Sequence, residues 1–198
     1  IKVSNTGTKF ELIIKGDKKK YKFETKLLGY ANIYNILSGI ALGHHLGIKI
    51  KQLQSAVKSV KPVEHRLEIR SSGSVYYIDD AYNSNPEGAK MALEVLRNFR
   101  RMEGGRRIVV TPGFVELGER QAELNRELGR EIASACDIAI VVNKTNREAI
   151  SSGILGQEFN KNNLIEVDSF ADASARLASM MRAGDVILYE NDLPDSFK

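Results

Sequence analysis

A chain of 198 residues can bury one large core or two small ones without disulfide or metal staples. Hydrophobic residues make up 42% and charged residues 27%, an ordinary globular balance; no apolar run reaches bilayer length and no signal-peptide pattern opens the chain. The single Cys136 excludes an internal disulfide and fits a reducing, cytoplasmic compartment, while the net charge of +4 suits nucleotides and phosphorylated sugars as well as nucleic acid.

In chain order, Phe10, Leu12 and Ile14 alternate with polar residues, and Tyr21, Phe23 and Thr25 alternate again after Gly16-Asp17 and a lysine run. That predicts a two-stranded hairpin with Lys18, Lys19 and Lys20 at its solvated tip. Ile33, Ile36, Leu37 and Ile40 share one helical face that ends near Gly47, and Ile50, Leu53, Val57 and Val60 predict a second, shorter helix. This segment is too small and open to be a complete domain and reads as the end of one, with the grammar changing near Lys61-Pro62.

From residue 63 onward strands and helices alternate. Strands are expected at Leu67 to Arg70, Val75 to Asp79, Ile108 to Val110, Ile138 to Val142, Leu164 to Val167 and Val186 to Tyr189. Helices are expected at Pro86 to Met102, Glu119 to Ala135 and Asn146 to Leu155, and around Phe170, Ala173, Leu177 and Met181. Short β-branched runs without alternation are buried on both faces, so the fold class is α/β: a Rossmann-like, open and mostly parallel sheet preceded by a hairpin and helices. Ligands of such sheets bind beyond the carboxyl ends of the strands.

The stretch Asp79-Asp80-Ala81-Tyr82-Asn83-Ser84-Asn85-Pro86 lies at such an end. Asn85 before Pro86 is a strong helix N-cap signal, which would make Asp79 and Asp80 ordinary turn acids. A helix start on the ligand edge is equally a place for phosphate and ribose hydroxyls, and spacing alone does not separate the two. Arg97, Arg100, Arg101, Arg106 and Arg107 have only Phe99 among them, which belongs to the apolar helix face, and read as solvated charge, so nucleic acid is not expected as a partner. His44-His45 diverge on a helix and do not form a zinc pair, His65 is given no chemistry, and Cys136 reads as a buried spacer.

Asp80-Ala81-Tyr82-Asn83-Ser84-Asn85-Pro86 resembles the D-S-Y-N-A-N-P element of the Mur ligases in their MurF branch. Three further stretches resemble that family in the same order: Asn32-Ile33-Tyr34-Asn35, Glu64-His65-Arg66-Leu67-Glu68, and Val110 to Glu119, which resembles the G-D-M-x-E-L-G turn around Glu116. The closing Glu190-Asn191-Asp192-Leu193-Pro194-Asp195 resembles the branch as well. The family usually has His where Ala31 stands, often has His where Asn125 stands, and usually has Val-Leu-Gly-Asp in place of Val110-Thr111-Pro112-Gly113.

The resemblance implies an ATP-dependent amide ligase of peptidoglycan precursor synthesis that adds D-alanyl-D-alanine to a UDP-N-acetylmuramoyl-tripeptide through an acyl phosphate. Residues 1–62 would be the end of a central ATP-binding domain and 63–198 the C-terminal domain. Asn35 would contact the adenine, Arg66 the ATP phosphates and Asp80 the ribose, with Asn32, Asn83, Asn85 and Glu116 as further motif positions. No catalytic or metal-binding residue is expected in this piece. No Gly-Lys dipeptide occurs, so the G-x-x-x-x-G-K-S/T phosphate loop is absent, and the piece is expected to be inactive without the family's N-terminal and central domains, which would also supply the Mg2+ ligands. The partners implied are a UDP-sugar peptide and a dipeptide, with no membrane. Two alternatives stay open: a Mur-like or folylpolyglutamate-synthase-like ligase with another acceptor, and a non-catalytic basic α/β binding module.

Overall fold

The structure, a computed structural model, describes residues 1–82 and 84–193. Its first layer is a three-stranded antiparallel sheet of β1 (Lys2–Ser4), β2 (Gly7–Ile13) and β3 (Lys20–Thr25), followed by α1 (Gly29–His45) and α2 (Ile50–Ser59). The alternation in β2 and β3 puts Phe10 directly opposite Phe23, and the rings stack with centroids 5.3 Å apart. Ile33, Ile36 and Ile40 of α1 close over this pair together with Leu53 and Val57 of α2. The expected hairpin and both helices are present. The short β1, absent from the sequence reading, is added by a turn in which Ser4 Oγ donates to the Gly7 carbonyl at 3.0 Å.

The second layer system is a six-stranded sheet. Its strands are β4 (Glu68–Ser72), β5 (Val75–Asp80), β6 (Arg107–Thr111), β7 (Ile138–Val142), β8 (Leu164–Val167) and β9 (Val186–Glu190). The spatial order is β4-β5-β9-β6-β7-β8; only β4 runs antiparallel to its neighbour. The helices are α3 (Pro86–Asn98), α4 (Gln121–Ala135), α5 (Arg147–Leu155) and α6 (Phe170–Met180). Leu93, Leu96, Leu128, Ile132, Ile150 and Ile154 of α3, α4 and α5 cover one sheet face, while Ala173 and Leu177 of α6 cover the other. The α/β class is therefore as expected, with strands buried on both faces. Gly129 and Gly153 let α4 and α5 touch, because a Cβ on either would fall 2.2 Å or less from a backbone oxygen of the facing helix.

Helix α3 stops at Asn98, four residues short of the expected Met102. The Arg100 backbone is taken by Asn5 instead of the helical ladder: its N–H donates to Asn5 Oδ1 at 3.0 Å and its carbonyl accepts from Asn5 Nδ2 at 2.6 Å. Phe99 then turns inward under Tyr76, with ring centroids 5.3 Å apart. Three of the five arginines in this region are spoken for, Arg97 by Glu131 at 3.5 Å, Arg101 by Asp137 at 2.6 Å and Arg106 by the fully buried Asp185 at 2.7 Å. Cys136 closes α4, and burial raises its thiol above the ordinary range, with Asp137 adding to the effect. Among the described residues no helix is long and apolar enough to cross a membrane.

Candidate functional site

Strand β9 enters the sheet between β5 and β6, so three turns leave neighbouring strand ends at one edge. Buried polar side chains tie these turns together. Glu190, the last residue of β9, is fully buried and receives the hydroxyls of Ser84 and Thr111, the latter at 3.0 Å. Burial pushes its carboxyl up to about 7, against the opposing effect of those two hydrogen bonds. Next to it, the Asn191 backbone N–H donates to the Asp80 carbonyl at 3.2 Å, its Nδ2 donates to the Gly113 carbonyl at 2.7 Å, and its Oδ1 accepts from the Ser84 N–H at 3.1 Å. Asn191 has a φ of 65°, a left-handed conformation that Asn tolerates better than most residues.

The turn after β6 is held from below. Asn125 of α4 is fully buried; it accepts the Phe114 N–H at 2.8 Å and donates to the Phe114 and Gln121 carbonyls, each at 2.9 Å. Asn146 donates to the Pro112 and Phe114 carbonyls at 3.0 and 2.9 Å. Gly113 has a φ of 76°, and a Cβ there would sit 2.2 Å from Asn125 Oδ1, so the turn is shaped around that amide. Replacing Asn125 by Ala strands the buried Phe114 N–H and leaves the Phe114 carbonyl to Asn146 alone. It is expected to lower the unfolding free energy by about 2–4 kcal/mol, read by urea denaturation.

The entry to the sheet is the other half of the site. The backbone at His65 and Leu67 is left-handed, with φ of 58° and 50°, conformations that side chains of this size adopt only when held. The holding groups are visible. The Leu67 N–H donates to Asp80 Oδ1 at 3.0 Å, the Tyr82 N–H donates to the His65 carbonyl at 3.3 Å, and His65 Nδ1 lies 2.9 Å from Asp79 Oδ2. Between them the exposed Arg66 lays its guanidinium 4.4 Å over the Tyr82 ring. Burial raises the Asp80 carboxyl to about 6, opposed by the Leu67 N–H and the Arg66 charge and reinforced by Asp79.

A cavity of about 600 Å³ opens beside this turn, on the α6 side of the strand ends. Val110, Pro112, Val142, Phe170, Tyr189 and Leu193 form its apolar walls, and its polar lining includes His65, Asp79, Asn143, Asp168, Asn191 and Asp192. Among the described residues no Lys or Arg lines it. Asp168 pairs with Arg147 at 2.6 Å and Lys144 at 3.3 Å, and Arg147 holds its carboxyl below the usual range.

Of the residues singled out in the sequence, Arg66 and Asp80 come together at the hinge. Asn85 caps α3, its Oδ1 accepting the Gly88 N–H at 2.9 Å, so its local role is the plain one. Asn32 donates to the Leu28 carbonyl at 2.8 Å, steadying the first turn of α1, and Asn35 lies exposed on the same helix. Glu116 is exposed with a φ of 63°, and Asn83 lies outside the described residues. Sequence reading gave no site role to Thr111, Asn146, Asn191 or His65. Glu190 carried one usable signal, a carboxylate set directly after the apolar run Val186 to Tyr189. The exposed Arg66 cation and the neighbouring Asp80 carboxyl suit a ribose and phosphates. Among the described residues no group of three or more His, Cys, Asp or Glu side chains is placed to hold a metal ion.

This edge corresponds to a known domain. A family model described as "Mur ligase, glutamate ligase domain" matches residues 65–189, which covers more than half of the chain. The chain belongs to the Mur ligase family. The UDP-N-acetylmuramoyl-tripeptide–D-alanyl-D-alanine ligase of Bacillus subtilis is 27% identical over 190 residues, 94% of this chain and 40% of that protein. A UDP-N-acetylmuramoyl-L-alanyl-D-glutamate–2,6-diaminopimelate ligase of Chlamydia felis is 32% identical over 174 residues, 85% of this chain and 34% of that protein. A crystal structure of MurF from Acinetobacter baumannii superposes with a TM-score of 0.78 at 18% identity, over 96% of this chain and 40% of that one, and so shares the fold. This Mur ligase chain thus spans about two fifths of the length of such relatives.

Proposed function

We propose that this chain is the part of a MurF-type ligase that closes over ATP and presents the incoming amine. Residues 1–62 are read as the end of the central ATP-binding domain and 63–198 as the C-terminal domain. The reaction joins D-alanyl-D-alanine to a UDP-N-acetylmuramoyl-tripeptide: a substrate carboxylate becomes an acyl phosphate, the amine attacks it, and phosphate departs. The observation that carries this reading is the cavity at the strand ends, walled by apolar side chains, with Arg66, Tyr82 and Asp80 beside it. A dipeptide with small apolar side chains suits walls whose described residues include no Lys or Arg better than an acceptor bearing an extra carboxylate.

Within this chain Arg66 bears on the phosphates, Asp80 on the ribose hydroxyls and Asn35 on the adenine, with Asn32 and Asn85 holding the helix starts that position them. Mg2+ and the phosphate loop belong to the domains that precede residue 1, and a hinge beside the site lets the C-terminal domain complete it after the substrates load. A relative named for an ADP complex, MurF of Thermotoga maritima, shares the fold with a TM-score of 0.71 at 24% identity over 87% of this chain, which supports the nucleotide assignment. The test is phosphate release by the intact protein with ATP, the UDP-linked tripeptide and one amine at a time. Release is expected with D-alanyl-D-alanine and not with D-glutamate or diaminopimelate; a preference for either of the latter overturns the acceptor, and release with none overturns the ligase reading.

A further inference from the structure

We propose that His65, oriented by Asp79, takes the proton from the acceptor's ammonium group so that the amine can attack; this rests on the ligase reading above. An amino group with an ordinary pKa near 8 is mostly protonated at neutral pH and has no lone pair to offer, so a base at the acceptor cavity is a chemical requirement. His65 lines that cavity. Its Nδ1 lies 2.9 Å from Asp79 Oδ2, and a carboxylate only accepts, so Nδ1 carries a hydrogen and the neutral ring that this step requires has its lone pair on Nε2. The carboxylate of Glu64 is 4.0 Å from Nε2, within ion-pair range but too far for a hydrogen bond.

The arrangement is built rather than incidental. Asp79 is only 13% exposed in its side chain, accepts the Ala81 N–H at 3.3 Å and has Arg70 at 3.7 Å. The left-handed backbone of His65, φ 58°, is pinned by the Tyr82 N–H. Glu64 and Asp79 are the carboxylates paired with the ring, Glu68 is near it, and Arg70 stands on Asp79. Asp168, another carboxylate of the cavity, is engaged by Arg147 and Lys144, which makes it the weaker base.

The step balances without any further reagent. One ammonium proton moves to His65 Nε2, the nitrogen lone pair forms the N–C bond to the acyl carbon, and the C–O bond to phosphate breaks. The remaining surplus proton on nitrogen leaves with the phosphate, and His65 returns its proton to solvent.

The experiment compares the intact enzyme with His65→Asn, chosen because Asn tolerates positive φ and so keeps the hinge folded. Acyl phosphate is trapped by borohydride reduction without acceptor, and amide formation is followed at saturating acceptor. The variant is expected to form acyl phosphate as before but to make amide about 100-fold more slowly at pH 7, the deficit shrinking towards pH 9 as the amine loses its proton unaided. Asp79→Asn, acting through His65 as a positioning residue, is expected to show the same pH-dependent deficit in smaller degree. An unchanged amide rate, a deficit independent of pH, or an equal loss in acyl phosphate formation overturns the assignment. Absence of acyl phosphate in the unaltered enzyme instead overturns the ligase reading itself.

Discussion

Replacing Asp80 by Asn in the intact ligase is expected to raise the KM for ATP by roughly 10- to 100-fold, the worth of a charged hydrogen bond to a ribose hydroxyl. Asn is the informative change because its amide oxygen still accepts the Leu67 N–H that Asp80 Oδ1 accepts at 3.0 Å, so the hinge backbone keeps its support. Asp80→Ala loses both functions and is expected to add a stability defect to the kinetic one. The carboxyl sits near pH 6 because of burial, so ATP should also bind less tightly as pH falls through about 6 in the unaltered enzyme, and this dependence should vanish in the Asn variant. Initial rates at varied ATP and fixed acceptor decide it. Unchanged ATP kinetics would remove Asp80 from the nucleotide site and leave it as a hinge clamp.

The second large effect concerns stability and runs through Glu190. Its carboxyl is ordinary when unfolded and is pushed up to about 7 in the folded chain, chiefly by burial. Between about pH 4.5 and about 7 the folded state therefore holds a proton that the unfolded state has released. This contribution is fully present below the lower value and is lost as pH rises through the upper one. The loss amounts to about 3 kcal/mol at order-of-magnitude precision. Asp80, raised to about 6, acts in the same sense, and the two carboxyls repel each other when both are charged. Glu190→Gln keeps an amide where Ser84 and Thr111 meet the carboxyl and cannot ionise. The variant is expected to match the parent below pH 5 and exceed it in urea midpoint at pH 8. A parent whose stability rises from pH 5 to pH 8, or a variant weaker than it at pH 8, would show that the buried carboxylate is better solvated than its surroundings imply.

Both predictions concern one edge of one sheet, which explains how a small set of residues serves both the fold and the site. Asp80 supports Leu67 and is also the proposed ribose contact, and Asn191 joins three turns while lining the cavity. Such double use makes simple alanine scanning at this edge ambiguous. Isosteric changes that preserve the backbone bonds separate the roles.

Much was legible in the amino-acid order because it is local. Alternation in Phe10 to Ile14 and Tyr21 to Thr25 fixed the hairpin, apolar runs fixed β6, β7 and β9, and Asn85-Pro86 fixed the start of α3, each through backbone geometry that neighbouring residues decide. The resemblances of Asp80 to Pro86 and of Glu64 to Glu68 fall on the same sheet edge, where the Leu67 N–H meets Asp80. What sequence could not decide was long-range. The insertion of β9 between β5 and β6 places Glu190 and Asn191 against Ser84 and Thr111, residues far away in the chain. The early end of α3 depends on Asn5, and the orientation of His65 depends on Asp79 across a strand turn. Periodicity determines which face of an element is buried; only the packing of those faces determines which polar groups lose water together, and that shared desolvation raises the carboxyls of Asp80 and Glu190 at the site.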